Sequence, residues 1–279
     1  LTLSFASPLA RGAGPVYPAP EKEEHIAMIG SGLGERMQYS GHFEMLLHLR
    51  YPEHRLTVRN LCYPADTPSY RPRAGRSTPW AFPGAEKFRP ELAAHKGEGH
   101  YPSDDEWLTL CKADTILAFF GFNESFDGLE GLDRFRAELD AFAAHTLAQK
   151  YNGRSAPRLV LVSPIAFENL TRFYDLPDGK RENEHLERYT AVIREVAAAR
   201  NAGFVDLFTP TREIFSSART PLTLNGFALN DQGETVVGNL LADALYEAPQ
   251  VLLQAEPEKL RQLINEKSWL WHQDHRMPN

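Results

Sequence analysis

The sequence predicts a three-layer α/β/α sandwich built on a parallel five-stranded sheet, and three observations predict it. Five short apolar runs alternate with amphipathic helical patterns, which is typical of parallel α/β proteins. One of these runs, TILAFF at residues 115–120, is apolar at nearly every position, as expected of a central strand covered on both faces. Finally, 279 residues with 42% hydrophobic content suffice to bury one large core.

The expected strands follow one another along the chain, with a helix or a long connection after each. HIAMIG begins the folded part and continues through Gly30 and Gly32 into one helical pattern, which ends at Tyr51 and Pro52. The predicted strands lie at residues 25–30, 55–61, 115–120, 158–163 and 203–208. Because the carboxyl ends of parallel strands meet at one edge of the sheet, we expect a site there.

A long segment without periodicity, residues 62–103, separates the second and third strands. It is rich in proline and carries several aromatic and arginine side chains: Tyr70, Arg71, Arg73, Arg76, Trp80 and Phe82. A connection of this length inside a compact domain is usually functional or disordered. We therefore expect the stretch from Arg71 to Tyr101 to lie ordered across the mouth of the site.

Three segments are expected along the chain. Residues 1–24 combine an apolar start, small residues and a Pro/Gly-rich continuation, which predicts the remnant of a secretory signal followed by a linker. Residues 25–247 form the α/β domain, with residues 62–103 as its insertion, and residues 248–279 form a C-terminal helical extension. The signal remnant predicts a secreted or periplasmic protein. A disordered cytoplasmic tail is the alternative interpretation.

Composition limits the possible partners. A net charge of -7, a pI near 5.8 and the lack of Lys/Arg runs argue against nucleic acid or an anionic membrane and favour a small-molecule ligand. No apolar stretch reaches about 18 residues, so we predict no membrane insertion. The two cysteines, Cys62 and Cys111, predict buried free thiols. The histidines show no metal-ligand spacing, so neither a metal nor a cofactor is predicted.

Four motifs occur in a fixed order: GSGL after the first strand, RNLCYPADT at the second, GFNES after the third, and LNGFALND before a late helix. In this order they resemble the blocks of the SGNH, or GDSL-like, hydrolase superfamily, over about residues 25–246. The chain is most similar to a secreted planctomycete-like and Bacteroidetes-like branch, judged by ERMQYSGHFEMLLHLRYPEH, PWAFPGAEKF and AQKYNGRSAPRLVLVSPIAFE. The resemblance implies a flavodoxin-like fold and hydrolysis of esters on carbohydrates.

The resemblance also implies a serine nucleophile, a histidine base oriented by an aspartate, and amide donors for the oxyanion. Asn123 stands at the position of the third-block donor asparagine. Ala65 replaces the donor glycine of the second block and keeps its backbone N–H. Gly32 stands at the nucleophile position, and Ser31 lies one residue earlier, where its hydroxyl would point differently.

In the last block, Asn225 stands at the aspartate position and Ala228 at the histidine position, so the usual base is missing. Three interpretations stay open. Another residue could serve as the base; or the pocket only binds a carbohydrate, as an inactive relative; or Ala228 is an engineered replacement, which leaves Gly32 unexplained. The candidate replacement bases are Glu124, Glu44, His42 and His100.

The candidate site therefore contains two groups of residues. The catalytic candidates are Ser31, Asn123 and Glu124, and the oxyanion and pocket candidates are Gly32, Ala65, Asn123, Asn225 and Ala228. Glu124 could equally cap the following helix or pair with an arginine. The sequence thus predicts either an ester hydrolase with a degenerate triad or a carbohydrate-binding module on the same fold.

Overall fold

Five parallel strands form the central sheet of the computed structural model, which describes residues 14–73, 75–92, 99–249 and 256–276. The strands are β1 (His25–Gly30), β2 (Thr57–Asn60), β3 (Thr115–Phe119), β4 (Arg158–Val162) and β5 (Gly203–Val205). Their order is β2-β1-β3-β4-β5, and every neighbouring pair is parallel. The predicted α/β fold and its parallel five-stranded sheet are confirmed.

Eight α-helices surround the sheet in the described part of the chain. They are α1 (Gly32–Ser40), α2 (His42–Arg50), α3 (Asp104–Leu110), α4 (Leu132–Leu147), α5 (Lys180–Arg200), α6 (Phe208–Ser217), α7 (Asp231–Leu245) and α8 (Pro257–His275). Ile26 and Met28 of β1 join the core formed with α1, α2, α6 and α7, whereas Ala27 and Ile29 join the core formed with α3, α4 and α5. Alternate residues of a strand point to opposite faces, so both faces are covered.

The helix expected after β1 is in fact two helices, which separate at Gly41. Gly41 has a φ of 67°, a left-handed conformation that favours glycine, and its N–H donates to Met37 O at 3.2 Å. A Cβ on Gly41 would also lie only 2.5 Å from Asn265 Oδ1 of α8. The apolar spacing continues through the break, which is why one helix was expected.

The proline-rich insertion packs as part of the core on the α3 and α4 side. Phe82 and Ala85 are buried among the side chains of these helices. The guanidinium groups of Arg71 and Arg76 are also buried, and each forms an ion pair with Asp104, at 3.6 and 3.2 Å. Burial of these arginines costs little because the carboxylate and backbone carbonyls satisfy them. Residues 74 and 93–98 of the expected cover lie outside the described residues.

Both ends of the described chain pack on the domain. The backbone N–H of Val16 donates to Ala244 O at 2.9 Å, beside the end of α7. Residues 1–13, where most of the predicted signal remnant falls, lie outside the described residues. At the other end, Lys267 of α8 pairs with Glu44 at 2.7 Å and the indole of Trp271 donates to Asn60 O at 2.7 Å. No helix in the described ranges is long and apolar enough to cross a bilayer.

The cysteine prediction is confirmed. Cys62 and Cys111 are both free, and both side chains are buried. Burial raises the pKa of the Cys62 thiol well above its ordinary value, because the anionic thiolate is disfavoured away from water.

Candidate functional site

A cavity of about 230 Å³ lies at the carboxyl ends of the central strands. Gly32 follows β1, Asn123 follows β3 and Pro164 follows β4, and all three line it. The cavity therefore sits beside the β1/β3 boundary, where the strand order changes direction and where open α/β sheets bind ligands. Its lining residues are Gly32, Leu33, Glu35, Arg36, Pro64, Phe122, Asn123, Pro164, Ile165, Phe227, Ala228, Leu229 and Glu234.

The prediction that the stretch from Arg71 to Tyr101 covers the mouth of this cavity is wrong. From residues 62–103, only Pro64 lines it within the described part of the chain. Side chains after Pro64 instead pack in the core, as Phe82 does, or form ion pairs with carboxylates. Arg71 and Arg76 pair with Asp104, and Arg73 pairs with Asp66. The aromatic residues of the insertion correctly indicated that its described part is ordered, but they did not indicate where on the sheet it would pack.

Ser31 and Gly32 occupy different environments. Ser31 is only 2% exposed, its backbone N–H donates to Phe119 O at 2.8 Å, and it does not line the cavity. Gly32 does line the cavity, and a Cβ placed on it would have Pro64 Cα, 4.0 Å away, as its nearest neighbour. The position with room for a nucleophile therefore carries no side chain, and the nearby hydroxyl belongs to a buried residue.

The last block forms a tight turn rather than an acid–imidazole pair. Asn225 Oδ1 accepts a hydrogen bond from the backbone N–H of Ala228 at 2.9 Å, and Thr223 bridges to Leu229 across the turn. This is the local side-chain-to-backbone bond that asparagine often makes in turns. Asn225 does not line the cavity, whereas Ala228 does. The histidine position therefore faces the cavity but offers no proton acceptor.

The amide group of Asn123 is committed to the loop after β2. Its Nδ2 donates to Pro64 O at 2.9 Å and to Asp66 O at 3.1 Å, which uses both amide hydrogens. Ala65, between these two carbonyls, is exposed and does not line the cavity. Although Asn123 occupies the expected place, its amide cannot donate to an oxyanion while these bonds persist. The two predicted oxyanion donors are thus not aimed together into the cavity.

Of the two roles that the sequence left open for Glu124, base and structural residue, its contacts support the structural one. It is buried, does not line the cavity, and its Oε2 accepts the backbone N–H of Gly121 at 2.7 Å. Gly121 lies in the turn two residues after β3 and has a φ of 105°, a conformation that favours glycine, so Glu124 stabilises this turn. Burial raises the pKa of Glu124 to about 7, because it removes water from the carboxylate.

The remaining candidate bases also lie away from the cavity. The carboxylate of Glu44 pairs with Lys267 of α8. The His42 ring lies 3.3 Å from an Asp231 carboxylate oxygen and 3.1 Å from Thr235 Oγ1, on the outer side of α2 and α7. His100 is exposed, and it does not line the cavity either. None of the four bases considered from sequence can therefore reach a ligand bound there.

Three charged side chains of the cavity were missed by sequence reasoning: Glu35, Arg36 and Glu234. Glu35 Oε1 accepts hydrogen bonds from Gln38, Tyr39 and Arg276, at 3.0, 2.8 and 3.1 Å. Arg36 donates to Leu229 O at 3.1 Å. The only signal in the sequence is position: each charged residue lies within about one helical turn of a block residue, in the first turns of α1 and α7.

Glu234 is the most unusual of these groups. It is 5% exposed, and its Oε2 accepts a single hydrogen bond in the described structure, from Ser40 Oγ at 3.2 Å. Burial raises the pKa of Glu234 to about 7, because the carboxylate has lost water and gained only one neutral donor. Asn230 is the N-cap of α7, and its Oδ1 accepts a hydrogen bond from the backbone N–H of Gly233 at 2.9 Å. This bond fixes the first turn of α7, from which Glu234 borders the cavity.

Aromatic side chains form the rim of the cavity. Phe122 and Phe227 line it, with ring centroids 4.9 Å apart. Phe126 contacts Phe122 edge-on at 5.4 Å and is 72% exposed, and Phe227 is 40% exposed. Exposed aromatic side chains gathered at a cavity are typical of ligand-binding sites.

A larger, open groove of about 710 Å³ lies along α8, between Arg59 and Asp274. Seven of its eight lining residues belong to α8, and of the four motifs it touches only Arg59, the first residue of RNLCYPADT. None of the residues at the nucleophile, oxyanion or base positions lines it. Within the described ranges, no group of three or more His, Cys, Asp or Glu residues is arranged to hold a metal ion. The smaller cavity is therefore the candidate site.

Comparison with solved structures shows that the chain has the SGNH/GDSL-like hydrolase fold. One similar structure is a catalytic mutant of the acetylxylan esterase Axe2 from Geobacillus stearothermophilus, with a TM-score of 0.55 and 17% identity over 83% of this chain and 98% of that one. Another is a protein named a GDSL-like lipase from Parabacteroides merdae, with a TM-score of 0.56 and 11% identity over 82% of this chain and 98% of that one.

A gut microbial diltiazem-metabolizing enzyme, BT4096, is also similar, with a TM-score of 0.57 and 17% identity over 84% of this chain. The chain spans only 49% of the length of that enzyme. No family model and no curated protein matches the sequence. At these identities the likeness establishes the fold and leaves the chemistry to the residues of the cavity.

Proposed function

We propose that this protein binds an O-acylated carbohydrate in the substrate position of an ester-hydrolase fold and forms no acyl-serine intermediate. The single observation that carries the proposal is the content of the cavity: an aromatic rim and three charged groups, with Gly32 and Ala228 at the nucleophile and base positions. A pocket of this kind can hold a ligand by its shape and by a few polar contacts.

The aromatic rim supports a carbohydrate ligand. Phe227 and Phe126 offer flat apolar surfaces to solvent, on which the apolar face of a sugar ring can pack. Glu35, Arg36 and Glu234 supply acceptors and donors for hydroxyl groups within the cavity. The combination of a flat apolar surface and charged hydrogen-bonding groups fits a sugar better than a purely aliphatic chain.

The ester part of the proposal rests on the fold. Axe2 is named as an acetylxylan and acetyl-xylooligosaccharide esterase, and the Parabacteroides merdae protein as a lipase. Both names describe ester substrates. We carry over the ligand class, an ester-bearing molecule, and not the serine chemistry, because Ser31 does not line the cavity.

The proposed setting is outside the cytoplasm, in the periplasm or the medium. It is supported by the signal-like composition of residues 1–24, and a polymeric carbohydrate would be met there. Expression of the natural gene in its host, followed by fractionation, tests this part directly. Recovery of the protein from the cytoplasm alone would contradict it.

Calorimetric titration with acetylated and with deacetylated xylo-oligosaccharides tests the binding proposal. We expect the acetylated form to bind more tightly, and Phe227→Ala to weaken it at least about fivefold, or about 1 kcal/mol, because the sugar loses its packing surface. Trp269→Ala is the matched control, since Trp269 is also an exposed aromatic residue but lies on α8, outside the cavity. Equal affinities for wild type and Phe227→Ala would contradict the proposal.

A further inference from the structure

Glu234 has the features of a proton acceptor that the triad positions lack. It lines the cavity and is only 5% exposed to solvent. Its Oε2 accepts a hydrogen bond from Ser40, whereas its Oε1 has no hydrogen-bond partner in the described part of the chain. Glu35 also lines the cavity, but three donors, one of them the Arg276 guanidinium, already compensate its charge. Glu234 is therefore the acidic group with the greater capacity to take a proton.

We propose that Glu234 activates a water molecule for direct attack on an ester bound in the cavity. This inference rests on the proposed function only for the statement that an ester-bearing ligand enters the cavity. It adds an activity that needs neither Ser31 nor a histidine at position 228.

The step balances with water as the only co-reactant. The carboxylate of Glu234 accepts a proton from water while the water oxygen forms a bond to the acyl carbon. The tetrahedral intermediate then collapses, its bond to the alkoxy oxygen breaks, and Glu234 returns the proton to that oxygen. The products are a carboxylic acid and an alcohol, and Glu234 ends the cycle as it began.

Arg36 is placed to stabilise the negative charge that develops on the acyl oxygen. Arg36 lines the same cavity, and its Nη2 donates a hydrogen bond to Leu229 O. Its Nε is buried and has no hydrogen-bond partner in the described structure. A cationic donor that is partly withdrawn from water, as Arg36 is, lowers the barrier to a developing oxyanion more than the same group would in water. Arg36 thus supplies part of what the Asn123 amide, held by Pro64 and Asp66, does not.

The charges around Glu234 determine the expected pH dependence. Arg36 and Glu35 of α1 and Asp231 of its own helix act on it, and Asp231 in turn faces His42 of α2 and Arg261 of α8. Because the base must be ionised, the rate should rise with pH through the pKa of Glu234, about 7. Removal of the Ser40 hydroxyl takes away a hydrogen bond that lowers this pKa, so Ser40→Ala should move the midpoint to higher pH.

Hydrolysis of 4-nitrophenyl acetate by purified variants tests the inference. We expect the wild-type protein to exceed the buffer rate, Glu234→Gln to lower the protein-dependent rate by about a hundredfold, and Ser31→Ala to leave it unchanged. Glu124→Gln is the matched control, because Glu124 is an equally buried glutamate with its pKa also raised to about 7, but it lies outside the cavity. Circular dichroism confirms that each variant is folded.

Three results would overturn the inference: a wild-type rate equal to that of Glu234→Gln, an equal loss in Glu124→Gln, or an acetylated Ser31 in quenched reactions analysed by mass spectrometry. Should Glu234→Gln not fold, the shifted pH midpoint of Ser40→Ala takes its place, and an unshifted midpoint counts against the inference. Binding of acetylated xylo-oligosaccharide without hydrolysis would overturn this inference alone, whereas absence of binding would overturn the proposed function.

Discussion

Asn123 Nδ2 lies 2.9 Å from the main-chain oxygen of Pro64, and this hydrogen bond ties the end of β3 to the loop after β2. The second amide hydrogen reaches Asp66 O in the same loop. A side chain that resembles an oxyanion donor in the sequence therefore works as a clamp between two loops.

Asn123→Ala should destabilise the fold. It removes both hydrogen bonds to the loop and leaves two carbonyls without this partner, so we expect the free energy of unfolding to fall by about 1–2 kcal/mol in urea denaturation. A residue whose amide served only the oxyanion would change activity without this loss. An unchanged free energy of unfolding would show that the clamp contributes nothing.

Restoring the nucleophile and the base together should create serine-esterase chemistry. Gly32 and Ala228 line the same cavity, and a side chain at position 32 has room. We expect Gly32→Ser with Ala228→His to react with a fluorophosphonate probe and to hydrolyse 4-nitrophenyl acetate faster than either single variant, because the two residues act as a unit. The wild-type protein should not be labelled.

Two outcomes of these experiments would contradict the roles assigned to Ser31, Gly32 and Ala228. Stoichiometric labelling of wild-type Ser31 would show that its hydroxyl is activated despite its burial. No gain from the folded double variant would show that positions 32 and 228 do not meet at one ligand atom.

Glu124 should make the protein less stable as pH rises. Its folded pKa of about 7 exceeds the ordinary glutamate value of 4.5, so between these pH values the folded state holds a proton that the unfolded state has lost. Stability is therefore greatest below about pH 4.5 for this group and falls by up to about 3 kcal/mol as pH passes 7. Glu234 acts in the same direction.

Urea denaturation at pH 5 and pH 8 measures this effect. Glu124→Gln should lose less stability over that interval than the wild-type protein, because glutamine stays neutral and still offers an oxygen to Gly121 N–H. Identical losses in the two proteins would mean that the Glu124 carboxyl ionises in the folded state as easily as in water.

The pair between Lys267 and Glu44 should help to hold α8 against α2. Its atoms are 2.7 Å apart, and the Glu44 side chain is largely buried. Lys267→Met leaves that carboxylate without its cation, and we expect a loss of about 2 kcal/mol in the free energy of unfolding. Lys267→Met with Glu44→Gln should recover part of this loss, which a double-mutant cycle measures. Strict additivity would contradict the coupling.

Local patterns in the sequence determined the sheet. The runs HIAMIG and TILAFF are apolar at successive positions, and such runs are buried on both faces whatever surrounds them. They therefore predicted strands β1 and β3 to within a residue. The turn residues at their ends predicted where the cavity would lie, because parallel strands bring their carboxyl ends to one edge.

The sequence alone also showed that Gly32 and Ala228 cannot act as the serine nucleophile and the histidine base. A missing hydroxyl and a missing imidazole are properties of the residues themselves. Tertiary structure added that both positions face one cavity and that Ser31 does not line it, which depends on how β1 and the loop after β2 pack.

Only tertiary structure decided which carboxylate faces a ligand. Glu124 and Glu234 are each one residue in a polar turn near a block, and nothing local distinguishes them. The hydrogen bond from Gly121 N–H holds the Glu124 carboxylate inside the protein. The Asn230 cap fixes the first turn of α7, and Glu234 in that turn borders the cavity. Side-chain direction and desolvation arise from contacts between elements that are distant in sequence, which is why the sequence predicted the place of the site but not the group that works there.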